Sequence, residues 1–349
     1  MRVGWLVLGL VGCTLPGVDS EGLHVRVAAD PGLELCGGTL THMDAFVARV
    51  AEEFGVAAPT GDDRIEYFWL AKEDYAKRSG CPMNSSGCAR SGKKVYSFTA
   101  PLDHEYVHAL AARWGRMPPF FEEGLATAFE GLGTGISFEQ EYPPSHGPSR
   151  GALEEAMLAT SPDSVNYAAA GSFIHYLVQT HGTGTTLRTI TGLARDAGSG
   201  DIDAAFRAGF GVSVSDSITG FEAFIKKCPL DRTAMLLECD APTIAWDGHE
   251  FAEFREIGCE QEDVVGPFYG DRLMTMRTLE VREGGVFAIQ VIGGTAAILF
   301  AECGGCGPRQ TVRRIDGMAA IELSVGLYSL RVVAEIDATE VGWTIRRAG

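Results

Sequence analysis

Asp103–Gly131, DHEYVHALAARWGRMPPFFEEGLATAFEG, concentrates the side chains of this 349-residue chain that could perform chemistry. His104 and His108 are four residues apart, so on a helix they share one face, about a turn from each other. Both imidazoles can then reach one metal ion. Glu105 follows the first histidine and can lean over the open side of such an ion. There it would take a proton from a water that Zn²⁺ has acidified toward neutrality. This is the logic of the His-Glu-x-x-His pattern. A catalytic zinc takes three protein ligands and keeps its fourth position open. Glu122, Glu123, Glu130 and His146 all lie downstream as candidates for the third, and spacing alone leaves the choice open. The competing reading of the two histidines is a helix that carries them for packing or solvation.

The surrounding residues carry a resemblance. Pro118-Pro-Phe-Phe-Glu-Glu-Gly-Leu-Ala126 resembles the Pro-x-Trp-Leu-x-Glu-Gly-Leu-Ala segment of gluzincin zinc metallopeptidases, the peptidase MA-like group. The resemblance implies that Glu123 is the third zinc ligand. Glu122 would point about 100° away on the same helix and could not face the same ion. Phe120 stands where the family usually has Trp. Tyr167-Ala-Ala-Ala-Gly-Ser-Phe-Ile-His-Tyr-Leu177 looks like the family's later helix, whose tyrosine hydrogen-bonds the developing oxyanion, and that role passes to Tyr167. A phenol aimed at that oxygen favours the transition state over the ground state. Ile202–Gly211 is similar to the family's helical tail, so the resemblance spans roughly residues 65–226. It implies a zinc-dependent hydrolase acting on peptide or protein substrates. The Gly-x-Met-Glu-Asn segment with which the aminopeptidases of this clan bind a free amine is absent from residues 23–103, which argues against an aminopeptidase. The alternative is a catalytically inactive zincin scaffold serving as a surface binding or assembly protein.

The elements that must position these residues follow from periodicity. Helical spacing predicts Thr41–Phe54, Leu102–Trp114, Phe121–Phe129, Gly151–Ala159, Tyr167–Thr180, Thr185–Ala197, Asp201–Ala208 and Ser217–Lys226, with a short helix over Glu73–Arg78. Pro118-Pro119 stops one helix and starts the next. Strand-like runs fall at Leu23–Val27, Ile65–Leu70 and Val95–Phe98. Loops at 55–64, 80–94 and 131–150 would shape a cleft. After about Cys239 the texture changes to short Val-, Ile-, Leu- and Thr-rich runs: Leu273–Val281, Val286–Ile292, Ala297–Ala301, Gln310–Ile315, Ala319–Leu323, Gly326–Ala334 and Val341–Arg346. Evenly spaced short strands predict a sandwich or barrel. The expected class is α+β. A mostly helical, zincin-like domain with a small N-terminal sheet would cover 23–239, and an all-β sandwich 240–349.

A net charge of −17 with no basic run excludes nucleic acid as a natural partner. Hydrophobic content of 46% suits a packed globular chain. Met1–Arg2 and apolar Val3–Val11 read as an export signal, too short to span a membrane. Leu10-Val11-Gly12-Cys13 resembles the bacterial lipoprotein signal. It implies lipid on Cys13 and attachment to the cell envelope, with 1–22 as signal and tether. The remaining eight cysteines are an even number and predict disulfides. Cys81 and Cys88 bracket a turn-rich loop. Cys303-Gly-Gly-Cys306 lies between strand-like runs, which favours a structural pair over a redox or metal site.

Overall fold

The computed structural model describes residues 15–131, 150–227, 236–246, 248–268, 271–293, 296–303, 313–336 and 340–348. The chain opens with β1 (Ser20–Glu21), β2 (Val25–Ala29), α1 (Thr39–Glu53), β3 (Ile65–Trp69), α2 (Lys72–Ser79), β4 (Gly87–Arg90) and β5 (Lys94–Ser97). These strands form one sheet in the order β1-β2-β3-β5-β4. β2, β3 and β5 are parallel, and β1 and β4 close the two edges antiparallel. Parallel neighbours need a crossover, supplied by α1 between β2 and β3 and by α2 between β3 and β5. Alternation sends Val25, Val27, Ile65, Tyr67, Trp69 and Val95 into the main helical core. Ala28, Phe68 and Tyr96 face a second cluster with Tyr75 of α2 and Cys81.

The helical layer follows: α3 (Asp103–Ala111), a 3-10 turn at Ala112–Trp114, α4 (Pro119–Phe129), α5 (Arg150–Met157), α6 (Tyr167–His181), α7 (Thr183–Thr191), α8 (Ser199–Phe210) and α9 (Val214–Lys227). Pro119 sits in the first turn of α4, where no backbone N–H is missed. The Asn166 side chain caps α6 by accepting from Ala169 N at 3.0 Å. Helices α4 and α6 pack almost backbone to backbone because both carry glycine at the crossing. A Cβ on Gly124 would lie 2.8 Å from Ala170 O, and one on Gly171 would lie 2.5 Å from Thr127 Cγ2. That approach sets the start of α6 beside Glu123. Phe120, Phe121, Phe173, Phe206 and Phe221 fill the space behind it.

Nine strands make the remainder: β6 (Glu250–Arg255), β7 (Val265–Phe268), β8 (Arg272–Val281), β9 (Gly285–Ile292), β10 (Ala297–Glu302), β11 (Arg313–Ile315), β12 (Met318–Leu323), β13 (Gly326–Glu335) and β14 (Val341–Arg347), counted among the described residues. They form two antiparallel sheets, β11-β10-β13-β8-β7 and β12-β9-β14-β6. Phe287, Ile289, Ile298, Leu330, Trp343 and Ile345 are among the side chains packed between them. The class is therefore α+β, a helical unit followed by a β-sandwich. The two units are joined by the Cys36–Cys259 disulfide, which spans 223 residues of sequence. Thr39 Oγ1 adds to the junction, donating to Gly266 O at 2.7 Å and accepting from Gly266 N at 2.9 Å.

Several expectations change. Cys81 and Cys88 are bonded, but Cys303 pairs with Cys239 and not with Cys306. The bridge joins the chain leaving the helical unit to the end of β10, a long-range pairing that local spacing cannot reveal. Cys13, Cys228, Cys306 and His146 lie outside the described residues. The 80–94 loop contains β4, and the end of the expected tether contributes β1. Strands β6 and β7 were not foreseen. β6 is an edge strand whose charged residues, Glu250, Glu253 and Arg255, keep no period of two, and β7 is short and interrupted by Pro267. Among the described residues no helix is long and apolar enough to cross a membrane. The three disulfides among the described residues are the chemistry of an oxidising, extracytoplasmic compartment.

Candidate metal centre

The structure brings His104, His108 and Glu123 to one point. His104 and His108 project from the same face of α3, with their Nε2 atoms 3.1 Å apart. Glu123 on α4 sets Oε2 3.3 Å from His104 Nε2 and 3.2 Å from His108 Nε2. Among the described residues this is the one cluster of three or more His, Cys, Asp or Glu side chains arranged to share an ion. In a tetrahedral site with bonds of about 2.0–2.1 Å, ligand atoms lie about 3.3 Å from each other. The observed triangle has that size.

Proton inventory sharpens the fit. His104 Nδ1 lies 2.8 Å from Glu130 Oε2. An ionised carboxylate only accepts, so Nδ1 carries the proton. In a neutral imidazole Nε2 is then a lone pair, and it faces another acceptor, Glu123 Oε2. Acceptors converge in this way only around a cation or an added proton. The electrostatics agree. Burial pulls His104 and His108 toward the neutral form, yet the Glu123 carboxylate, with Glu130 at His104, raises both above the usual imidazole range. Burial would lift Glu123, but His108 and His104 hold it well below the usual carboxylate range. The pocket favours positive charge at its centre, and the donor set of two imidazoles and one carboxylate suits zinc.

Glu105 is 7% exposed. Burial raises its pKa against the pull of His108 and His104 and, more weakly, of the Ala89 backbone in β4. A carboxylate raised in this way is a better proton acceptor near neutrality. Tyr167, the first residue of α6, sets its ring 5.9 Å from the His104 ring. Burial and the charge of the neighbouring Glu123 push its phenol further up, so it stays a neutral donor. The three expected ligands therefore meet at one point, the Tyr167 ring lies beside His104, and Glu105 is close enough to feel both imidazoles.

Glu122 points elsewhere, paired with Arg116 at 3.3 Å and Arg195 at 3.4 Å. His175 is buried near Phe224, and His181 stacks on Phe210. Glu130, a candidate third ligand by spacing, is instead an outer partner of His104; its position seven residues after Glu123 puts it on the same helix face. Sequence reasoning missed one contributor. Buried Asp103 takes His42 Nε2 on both oxygens, at 2.9 and 3.2 Å, and ties the start of α3 to α1.

No protein-family model matches this chain, and no curated protein does. Among solved structures, the periplasmic inhibitor of g-type lysozyme PliG from Aeromonas hydrophila is 13% identical, covering 31% of this chain and 96% of its own, at a TM-score of 0.23. The pre-peptidase C-terminal domain of a Bacillus anthracis collagenase is 12% identical, covering 30% and 92%, at 0.21. PliG from Salmonella Typhimurium is 11% identical, covering 31% and 98%, at 0.19. Likenesses this low carry nothing about family or function.

Proposed function

We propose that this chain is a zinc-dependent peptide hydrolase of the gluzincin type, exported and held at the cell envelope by lipid on Cys13. His104, His108 and Glu123 would hold the metal. The observation that carries the reading is the convergence of three acceptor atoms at 3.1–3.3 Å with the outer nitrogen of His104 already committed to Glu130. A bound zinc would supply Lewis-acid polarisation of the scissile carbonyl and a lowered pKa for water. The protein's own groups do the rest. Glu105 takes the proton of the attacking water and passes it to the leaving amine. The Tyr167 hydroxyl donates to the oxygen on which charge develops. The Leu-Val-Gly-Cys13 motif and the disulfide chemistry support an envelope location.

Replacing Glu105 by Gln keeps the shape and removes the base. Cleavage of a peptide library should fall about 10²–10⁴-fold with metal content unchanged. Unaltered turnover in Glu105→Gln would contradict the assignment. Full biological effect without any cleavage would instead favour a catalytically idle scaffold.

A further inference from the structure

We propose that the β-sandwich is a positioning element of the metal centre, acting through Arg331 and Glu238. This rests on the metal-centre reading above and assigns the sandwich a part in it. Arg331 lies in the middle of β13 and Glu238 in the segment between the two units. They form an ion pair at 2.8 Å with relative exposures of 3% and 4%. Cys239, the next residue, is bonded to Cys303 beyond β10, so Glu238 is fastened to the sandwich both covalently and ionically. The same carboxylate is pressed against the end of α4. Gly131 has φ +69°, and a Cβ there would lie 2.5 Å from Glu238 Oε1. Glycine suits both the positive φ and the close approach. The residue before Gly131 is Glu130, whose carboxylate takes His104 Nδ1 at 2.8 Å. A continuous set of contacts thus runs from β13 to a metal-binding histidine: Arg331 to Glu238, Glu238 to Gly131, and Glu130 to His104.

Such outer partners orient a ligating imidazole and tune its basicity. If the sandwich fixes where α4 ends, it fixes where Glu130 stands. Arg331 and Glu238 are positioning residues, since neither touches the metal-binding atoms.

The test uses the full disulfide-bonded chain, with zinc affinity read by competition against a chromophoric chelator and the site's symmetry read from the visible spectrum of bound Co²⁺. Glu130→Gln should weaken zinc about 10–100-fold and alter the cobalt bands. Glu238→Gln and Arg331→Leu should each weaken zinc about tenfold and move the bands the same way. Combining Arg331→Leu with Glu130→Gln should cost no more than Glu130→Gln alone, because the two act along one path. Arg331→Lys, which keeps the charge, should stay within about threefold of the parent. Ile345→Val, which loosens the sandwich core away from this path, should lower Tm and leave the cobalt spectrum unchanged; a shift as large as that of Arg331→Leu would mean general destabilisation and overturn the proposal. So would Glu238→Gln and Arg331→Leu chains that bind both metals as the parent does, or losses that add to that of Glu130→Gln. Failure of the parent to take up either metal would overturn the metal-centre reading itself, and is distinguished by appearing before any substitution is made.

Discussion

Glu123 and Glu238 are both buried carboxylates, 7% and 4% exposed, yet their surroundings differ in kind. Glu238 meets a guanidinium, Arg331, at 2.8 Å. Its charge is answered inside the protein by a permanent cation. Glu123 meets two imidazoles, groups that are neutral unless they bind a proton and whose ring-nitrogen lone pairs can instead coordinate a metal. A carboxylate paired with arginine is architecture. A carboxylate placed among imidazole nitrogens has its positive partner still to be supplied from solution, and that is what a metal site requires.

The largest effect should come from breaking the architectural pair. Arg331→Leu leaves Glu238 buried against Gly131 without its cation and should cost about 3–5 kcal/mol of stability, read by urea unfolding. A loss below 1 kcal/mol would mean that Glu238 is hydrated and the contrast drawn above is wrong.

His175 sharpens the comparison from the other side. It is the same residue type as His104, in the same helical core, and 5% exposed. Burial depresses its pKa to about 4, where His104 and His108 are raised by their carboxylate neighbours. The folded state therefore holds His175 neutral while the unfolded chain protonates near its ordinary value of 6.5. Stability is full above pH 6.5 and is lost as pH falls toward 4. The loss reaches on the order of 3 kcal/mol. Unfolding midpoints across this window should show a shallower acid limb in His175→Leu than in the parent, and parallel limbs would contradict the assignment.

Gly124→Ala is the mildest break. Its Cβ would meet the Ala170 carbonyl at 2.8 Å, so α4 and α6 must part by a few tenths of an ångström at a cost of about 1–3 kcal/mol. Tyr167 at the start of α6 would move with them. Catalytic turnover should fall more than substrate affinity, because the phenol's hydrogen bond belongs to the transition state. Equal losses in kcat and 1/KM would point to a general disturbance of the cleft.

What could be read from the sequence is local. His104, Glu105 and His108 share a helix turn, so helical periodicity brings them together, whereas Glu123 stands on the next helix and is singled out only by the resemblance of the residues around it. The α4–α6 approach is hidden in single letters, Gly124 and Gly171, whose meaning needs the partner helix. Glu130 has the right period but stands at the helix end, where its role depends on the path of the chain beyond it. β4 is four residues, Gly87–Arg90, and pairs with β5 across a tight turn through Ser91 and Gly92, both at positive φ. β6 mixes Glu and Arg with apolar residues out of any period of two on an edge strand, where propensity is weak. Cys239–Cys303 and Cys36–Cys259 join residues 64 and 223 apart, and no spacing rule reports that.

The most direct test of the central claim is zinc stoichiometry by plasma mass spectrometry on the disulfide-intact chain after equilibrium dialysis, beside His104→Ala. One zinc per parent chain and none in the variant is the predicted result. No zinc in the parent, or equal zinc in both, would contradict the metal centre at His104, His108 and Glu123.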